Sequence, residues 1–205
     1  DSTNDHHLFD TERGVTKYVK SSASSAEATD ADTLTAFNSN GFSLGADTDT
    51  NADGNKYASW SFRKQPKFFD VVTYTGTGSA RTISHSLGSV PGSIWVKCTS
   101  DGYNWAVYHR GVDSSAPEDY KVDLGTTDAR SDNSSYWNDT APTSSVFTVG
   151  TSGDTNANGE TYVAYIFAHN NDDGGFGEPG DQDIIKCGSY DGDGQSAGVT
   201  VNLGF

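Results

Sequence analysis

Carboxylate and amide side chains alternate twice in this chain, each time just ahead of a glycine. The first run is Asp47-x-Asp49-x-Asn51-x-Asp53-Gly54; the second is Asp154-x-Asn156-x-Asn158-Gly159-Glu160. Oxygens at every second position of a loop can converge on one hard cation. Asp49, Asn51, Asp53, Asp154, Asn156 and Asn158 are therefore calcium candidates. The spacing fails where a bidentate Glu is needed: the twelfth residue from Asp49 is Trp60, and from Asp154 it is Tyr165. Asp-Gly and Asn-Gly also supply the positive φ of a tight hairpin. The hairpin reading is preferred, calcium is the weaker alternative, and no other cofactor is expected.

Other constellations are less specific. His109 and Arg110, near Asp113 and Ser114, could form a catalytic cluster, yet a strand end followed by a polar loop predicts the same residues. There is no His-x-x-x-His or Cys-x-x-Cys metal spacing. Aromatic rings remain. Tyr103, Tyr136 and Trp137 lie in polar surroundings, where exposed rings could stack on sugar faces; Trp60 and Trp105 are assigned to the core.

Positioning these residues requires strands. Residues 41–62, GFSLGADTDTNADGNKYASWSF, recur as 146–167, VFTVGTSGDTNANGETYVAYIF, 105 positions later. VVTYTGTGSARTISHSLG (71–88) returns as KCGSYDGDGQSAGVTVNLG (186–204), with Tyr74, Gly76, Gly78 and Leu87 matching Tyr190, Gly192, Gly194 and Leu203, 116 positions apart. A weaker match relates Arg13-Gly14 to Arg110-Gly111. Repetition of this kind marks an array of small units. Alternation predicts strands at 68–76, 80–88, 93–99, 104–109, 120–125, 145–150 and 161–169, the last apolar on both faces and hence central. Residues 41–45 and 56–63 read as a hairpin, and SSASSAEATDADTLTAF (21–37) as a short helix or ordered loop. The fold class expected is all-β: tandem antiparallel β-sandwich units, lectin- or jelly-roll-like, with long polar loops.

Composition narrows the partners. The 205 residues carry a formal net charge of −15, which repels phosphate backbones and anionic membranes. Nucleic-acid binding and membrane insertion are not expected, and no apolar run approaches a span. Cys98 and Cys187 are too few for a disulfide framework; one bridge is possible, and two thiols packed as small apolar residues are preferred.

The strings LFDTERG (8–14), FNSNGFSLG (37–45), FFDVVTYTGTG (68–78), HSLGSVPGSIWVK (85–97), WAVYH (105–109), YWNDTAPTSSVFTVG (136–150) and YVAYIFAH (162–169) resemble a repeat found in virion structural proteins of tailed phages of the marine and cyanophage type, among them tail fibres and appendages. The resemblance implies a non-enzymatic fibre, appendage or decoration segment, located in the virion or extracellularly. Its partners would be copies of itself, other virion proteins and host cell-surface glycans. A host-glycan receptor-recognition module is the alternative. The implied organisation is the C-terminal part of one β-sandwich repeat (1–66), a complete repeat (67–170), an acidic Gly-rich linker (171–182) and the opening strands of a further repeat (183–205). Those opening strands are expected to complete the 1–64 unit of a neighbouring chain by strand addition.

Overall fold

A computed structural model describes residues 5–194, 196 and 198–204. It is a mostly β structure built from several antiparallel sheets. Strands β1 (His7–Asp10), β2 (Gly14–Lys20) and β3 (Ala28–Thr29) form a three-stranded sheet in that order. β4 (Leu34–Asn38) pairs with β5 (Gly41–Leu44), and the helical turn α1 (Thr48–Asn51) follows. Then come β6 (Phe69–Thr75), β7 (Arg81–Ser84), β8 (Pro91–Cys98), β9 (Ala106–His109), β10 (Tyr120–Asp123) and β11 (Ser131–Asp132). The turn α2 (Ser134–Trp137), β12 (Val146–Val149), the turn α3 (Gly153–Asn156) and β13 (Thr161–Ala168) follow, with a single 3-10 turn at Pro117–Asp119 ahead of β10.

The main sheet has six strands in the order β11-β10-β9-β8-β13-β6, while β12 pairs with β7 separately. β13 is paired along its length on both sides, with β6 and with β8. Its unbroken apolar run therefore buries residues on both faces, as the sequence predicts for a central strand. One face gathers Ile94, Val96 and Cys98 of β8, Ala164 and Ile166 of β13, Phe147 and Val149 of β12, Ile83 and Trp137. The other face gathers Phe69, Val71, Val163, Tyr165 and Trp105 against Val19 of β2. The three-stranded sheet thus lies on the second face of the six-stranded one.

Polar contacts fasten that junction. Arg13 donates from Nε to Asp10 Oδ2 at 2.6 Å, from Nη1 to Glu27 at 3.1 Å, and from Nη2 to the Tyr165 hydroxyl at 3.0 Å. Tyr165 in turn donates to Asp10 Oδ2 at 2.8 Å. Lys97, fully buried, donates from Nζ to the carbonyls of Ser24, Cys98 and Tyr103. Burial lowers its pKa from the ordinary lysine value.

Several expectations are corrected. Residues 41–44 pair with β4, not with 56–63, which form no strand. Trp60, assigned to the core, is 88% exposed. Of the two readings of 21–37, the ordered loop holds for 21–33, apart from the short β3, while 34–37 is strand and no helix forms, because Ser, Thr and Asp bond the backbone locally instead of supporting helical turns. The described residues of 183–205, whose expected partner is a neighbouring chain, form no strand in the single chain; Gln195, Ala197 and Phe205 lie outside the described residues. Strand pairing needs a neighbour, and among the described residues none pairs with 56–63 or 188–204.

Candidate functional site

The two Asp/Asn loops are helical turns, not hairpins. Asp47 caps α1, its Oδ2 accepting from the N–H groups of Asp49 and Thr50, both at 3.0 Å. Ser152 caps α3 in the same way, accepting from Asp154 N–H. Capping is the commonest use of such side chains, because the first N–H groups of a helical turn have no partner within it. Gly54 and Gly159 then turn the chain at φ +76° and +85°.

Three of the six candidate calcium ligands, Asn51, Asn156 and Asp154, make hydrogen bonds that hold these turns. Asn51 Nδ2 donates to the Gly45 carbonyl at 2.7 Å, and Asn156 Nδ2 to the Gly150 carbonyl at 2.6 Å. Asn156 goes further: its Oδ1 accepts from Thr77 N–H at 2.9 Å, and Nδ2 also reaches the Ser79 carbonyl at 2.7 Å. Asp154 accepts from Asn104 N–H and from the Tyr136 hydroxyl. Asp49 lies in the first turn of α1, with Asp53 and Asn158 on the turns that follow. Among the described residues no three His, Cys, Asp or Glu side chains are grouped so as to hold a metal ion.

The same hydrogen bonds recur 105 positions apart. Ala52 N–H donates to the Tyr57 hydroxyl, which donates to the Thr48 carbonyl; Ala157, Tyr162 and Gly153 do the same. Gly45 N–H bonds the Thr33 carbonyl and Gly150 N–H that of Tyr136, the donors 105 and the acceptors 103 positions apart. Both glycines are required by close approach: a Cβ would stand 2.5 Å from the Asp32 carbonyl oxygen at Gly45, and 2.3 Å from that of Ser135 at Gly150. Strand register repeats as well, at a spacing of 103. Lys17 opposes Thr29 and Tyr18 opposes Ala28, just as Tyr120 opposes Asp132 and Lys121 opposes Ser131.

The aromatic candidates do not form a stacking platform. Trp137, expected at the surface, is 2% exposed, and its Nε1 donates to the Tyr120 carbonyl. Its place in α2 turns the ring inward onto Tyr108, whereas polar neighbours in sequence suggested the opposite. Tyr136 is half-buried; burial and its bond to Asp154 raise its pKa. Tyr103 is half-buried against Gly153. Trp105 is core, as expected.

The residues around His109 are tied down by local hydrogen bonds, and Arg110, Asp113 and Ser114 line a cleft of about 260 Å³. His109 Nδ1 accepts from Gly111 N–H at 3.1 Å, and burial lowers its pKa. Asp113 accepts from the N–H groups of Ser115 and Ala116 and pairs with Arg130, contacts that hold its carboxyl below the ordinary value. A cleft of about 330 Å³ lies between Ser22–Ser24 and Asn104, Trp105, Gly125 and Thr126, and none of these lining residues titrates. Cys98 and Cys187 are free thiols, the first buried, the second half-buried with its pKa pushed by burial to about 11.

The fold and these turns define a mostly β, antiparallel protein whose polar loops are fixed by their own backbone. The chain belongs to the family described as a domain of unknown function, DUF7483, whose model matches residues 1–205. No curated protein and no solved structure matches it.

Proposed function

We propose that this chain is a non-enzymatic structural segment of a phage virion, a fibre, appendage or decoration protein built from tandem antiparallel β-sandwich units. The observation that carries the reading is the recurrence of the Asn51 hydrogen-bond set at Asn156, together with the equal register of β2–β3 and β10–β11. A unit repeated with its turns intact is economical for building length, since each copy needs only its neighbours for burial. The tailed-phage resemblance of the strings at 8–14, 37–45, 68–78 and 136–150 supplies the location. Copies of itself and other virion proteins are then the partners.

The test is immunogold labelling of purified particles with antibody against this chain. Gold on a tail, fibre or capsid decoration supports the reading; particles that carry none of the chain after washing overturn it. A host-glycan module is the weaker alternative, because the Trp137 ring is buried and committed to Tyr120.

A further inference from the structure

The two matching units differ sharply in what they cover. Phe147, Tyr162 and Tyr165 are 1%, 1% and 4% exposed; their counterparts 105 positions earlier, Phe42, Tyr57 and Trp60, are 40%, 48% and 88% exposed. The difference has an identifiable cause. Phe147 and Tyr162 are covered by residues 69–87: β6 pairs along β13, β7 pairs along β12, and Tyr74 packs on both rings. The loop between β6 and β7 is stitched to α3 through Thr77 N–H to Asn156 Oδ1, Gly78 N–H to the Asn156 carbonyl and Gly76 N–H to the Glu160 carbonyl. Among the described residues, 42–62 have β4 beside β5 and Phe62 packed on Phe68, Phe69 and Phe167, but no counterpart of β6 and β7 lies over Phe42, Tyr57 and Trp60.

The sequence that does it in one unit is present again at 188–204. Every described residue of that stretch is exposed and none is in a strand. Its glycines already hold the matching backbone: Gly194 has φ +64° where Gly78 has +70°, and Gly204 has +71° where Gly88 has +69°. Transferring the observed register by 105 and 116 positions places Tyr190 opposite Tyr57, Asp191 opposite Lys56, and Val199 opposite Phe42. The transferred pairs set ring on ring, carboxylate on ammonium, and apolar on apolar.

We propose that residues 188–204 of one copy of this chain add to residues 41–62 of a second copy, as the counterparts of β6 and β7. The inference rests on the tandem-repeat part of the proposed function, not on the location of the chain in a particle. The donor surface and the acceptor surface are different patches, so the contact is head-to-tail. Such contacts grow into open filaments unless the rotation closes a ring. Buried aromatic area drives the docking, and the backbone ladder fixes its register.

Gly192 supplies a clean probe. Its counterpart Gly76 is so close to the neighbouring turn that a Cβ would stand 2.1 Å from the Ala157 carbonyl oxygen, while a Cβ at Gly192 meets nothing within 4 Å in the single chain. Gly192→Val therefore leaves the monomer intact and blocks docking against Ala52. The experiment takes the full chain and measures mass against concentration by light scattering, for the parent and for Gly192→Val. It then mixes Lys56→Cys chains with Asp191→Cys chains under mild oxidation, because directly paired strand residues bring Cα atoms within disulfide reach. Concentration-dependent multimers lost in Gly192→Val, with a disulfide formed only between the two different variants, are expected. A parent that stays monomeric, multimers unaffected by Gly192→Val, or equal cross-linking from an off-register Ser59→Cys chain would overturn the proposal. Particle labelling and solution assembly are separate readouts, so either reading can fail alone.

Discussion

Replacing Asn156 by Ala should be among the most damaging single polar substitutions in this chain. The side chain is fully buried and makes three hydrogen bonds, to Thr77 N–H, the Ser79 carbonyl and the Gly150 carbonyl. Each buried group left unpaired costs about 1–3 kcal/mol, and because the three share one side chain the losses are not fully additive. The expected destabilisation is roughly 3–5 kcal/mol, at the upper end for a point change. For a chain of this length that corresponds to a fall in Tm on the order of 10 °C. Asn51 is the internal control. It is exposed and makes one such bond, to the Gly45 carbonyl, so Asn51→Ala should cost under about 1 kcal/mol in dilute monomer. Urea and thermal unfolding followed by tryptophan fluorescence would read both. Equal losses at the two asparagines would contradict this, since the β6–β7 loop packs on Asn156 and not on Asn51.

Three further outcomes are expected. Arg13→Met leaves Asp10 and Glu27 without their buried cation and should cost about 3–5 kcal/mol; hydrogen exchange should show β1–β3 loosening first, and uniform protection would contradict the junction described. Lys97→Met removes three carbonyl partners and should destabilise by roughly 3 kcal/mol, with Ser24 and its neighbours becoming sensitive to protease. Alkaline pH should also destabilise the chain: burial raises the Tyr108 pKa from 10.0 to about 12, so the unfolded state ionises first and the stabilisation present below pH 10 is lost as pH climbs through 12. Tyr108→Phe should flatten that limb of the pH–stability curve, and an unchanged slope would show that the ring does not contribute.

Sequence reading located strands well where alternation and burial coincide. β8 shows this: Ile94, Val96 and Cys98 point one way, Trp95 and Lys97 the other, as the pattern implies. It failed where a partner decides the outcome. KYASWSFR and TYVAYIFA are similar strings, yet only the second is flanked by β6 and β8, so only it becomes a strand. It failed again at Trp137, because a short turn reorients a ring in a way no periodicity records. The Asp/Asn loops were legible as turns, although the turns they build are capped helical turns instead of tight hairpins. The bonds of Asn156 to Thr77 and Ser79 left no local signal, since they join residues more than seventy positions apart.

In the tandem-unit reading, the sheet junction fixes how stability is shared. Tyr165 belongs to the complete unit, whereas Asp10 and Arg13 belong to the preceding one, and the three side chains close a single buried hydrogen-bonded set. The second face of the main sheet is likewise covered by Val19 of the preceding unit rather than by its own strands. A unit of this kind cannot bury both faces alone, so stability becomes a sum of intrinsic terms and nearest-neighbour terms. Loss of Arg13 should then be felt chiefly at the junction, leaving β7–β12 and the Trp137 side of the core protected. That asymmetry separates coupled units from one undivided core, in which a buried ion pair removed at one face would lower protection throughout.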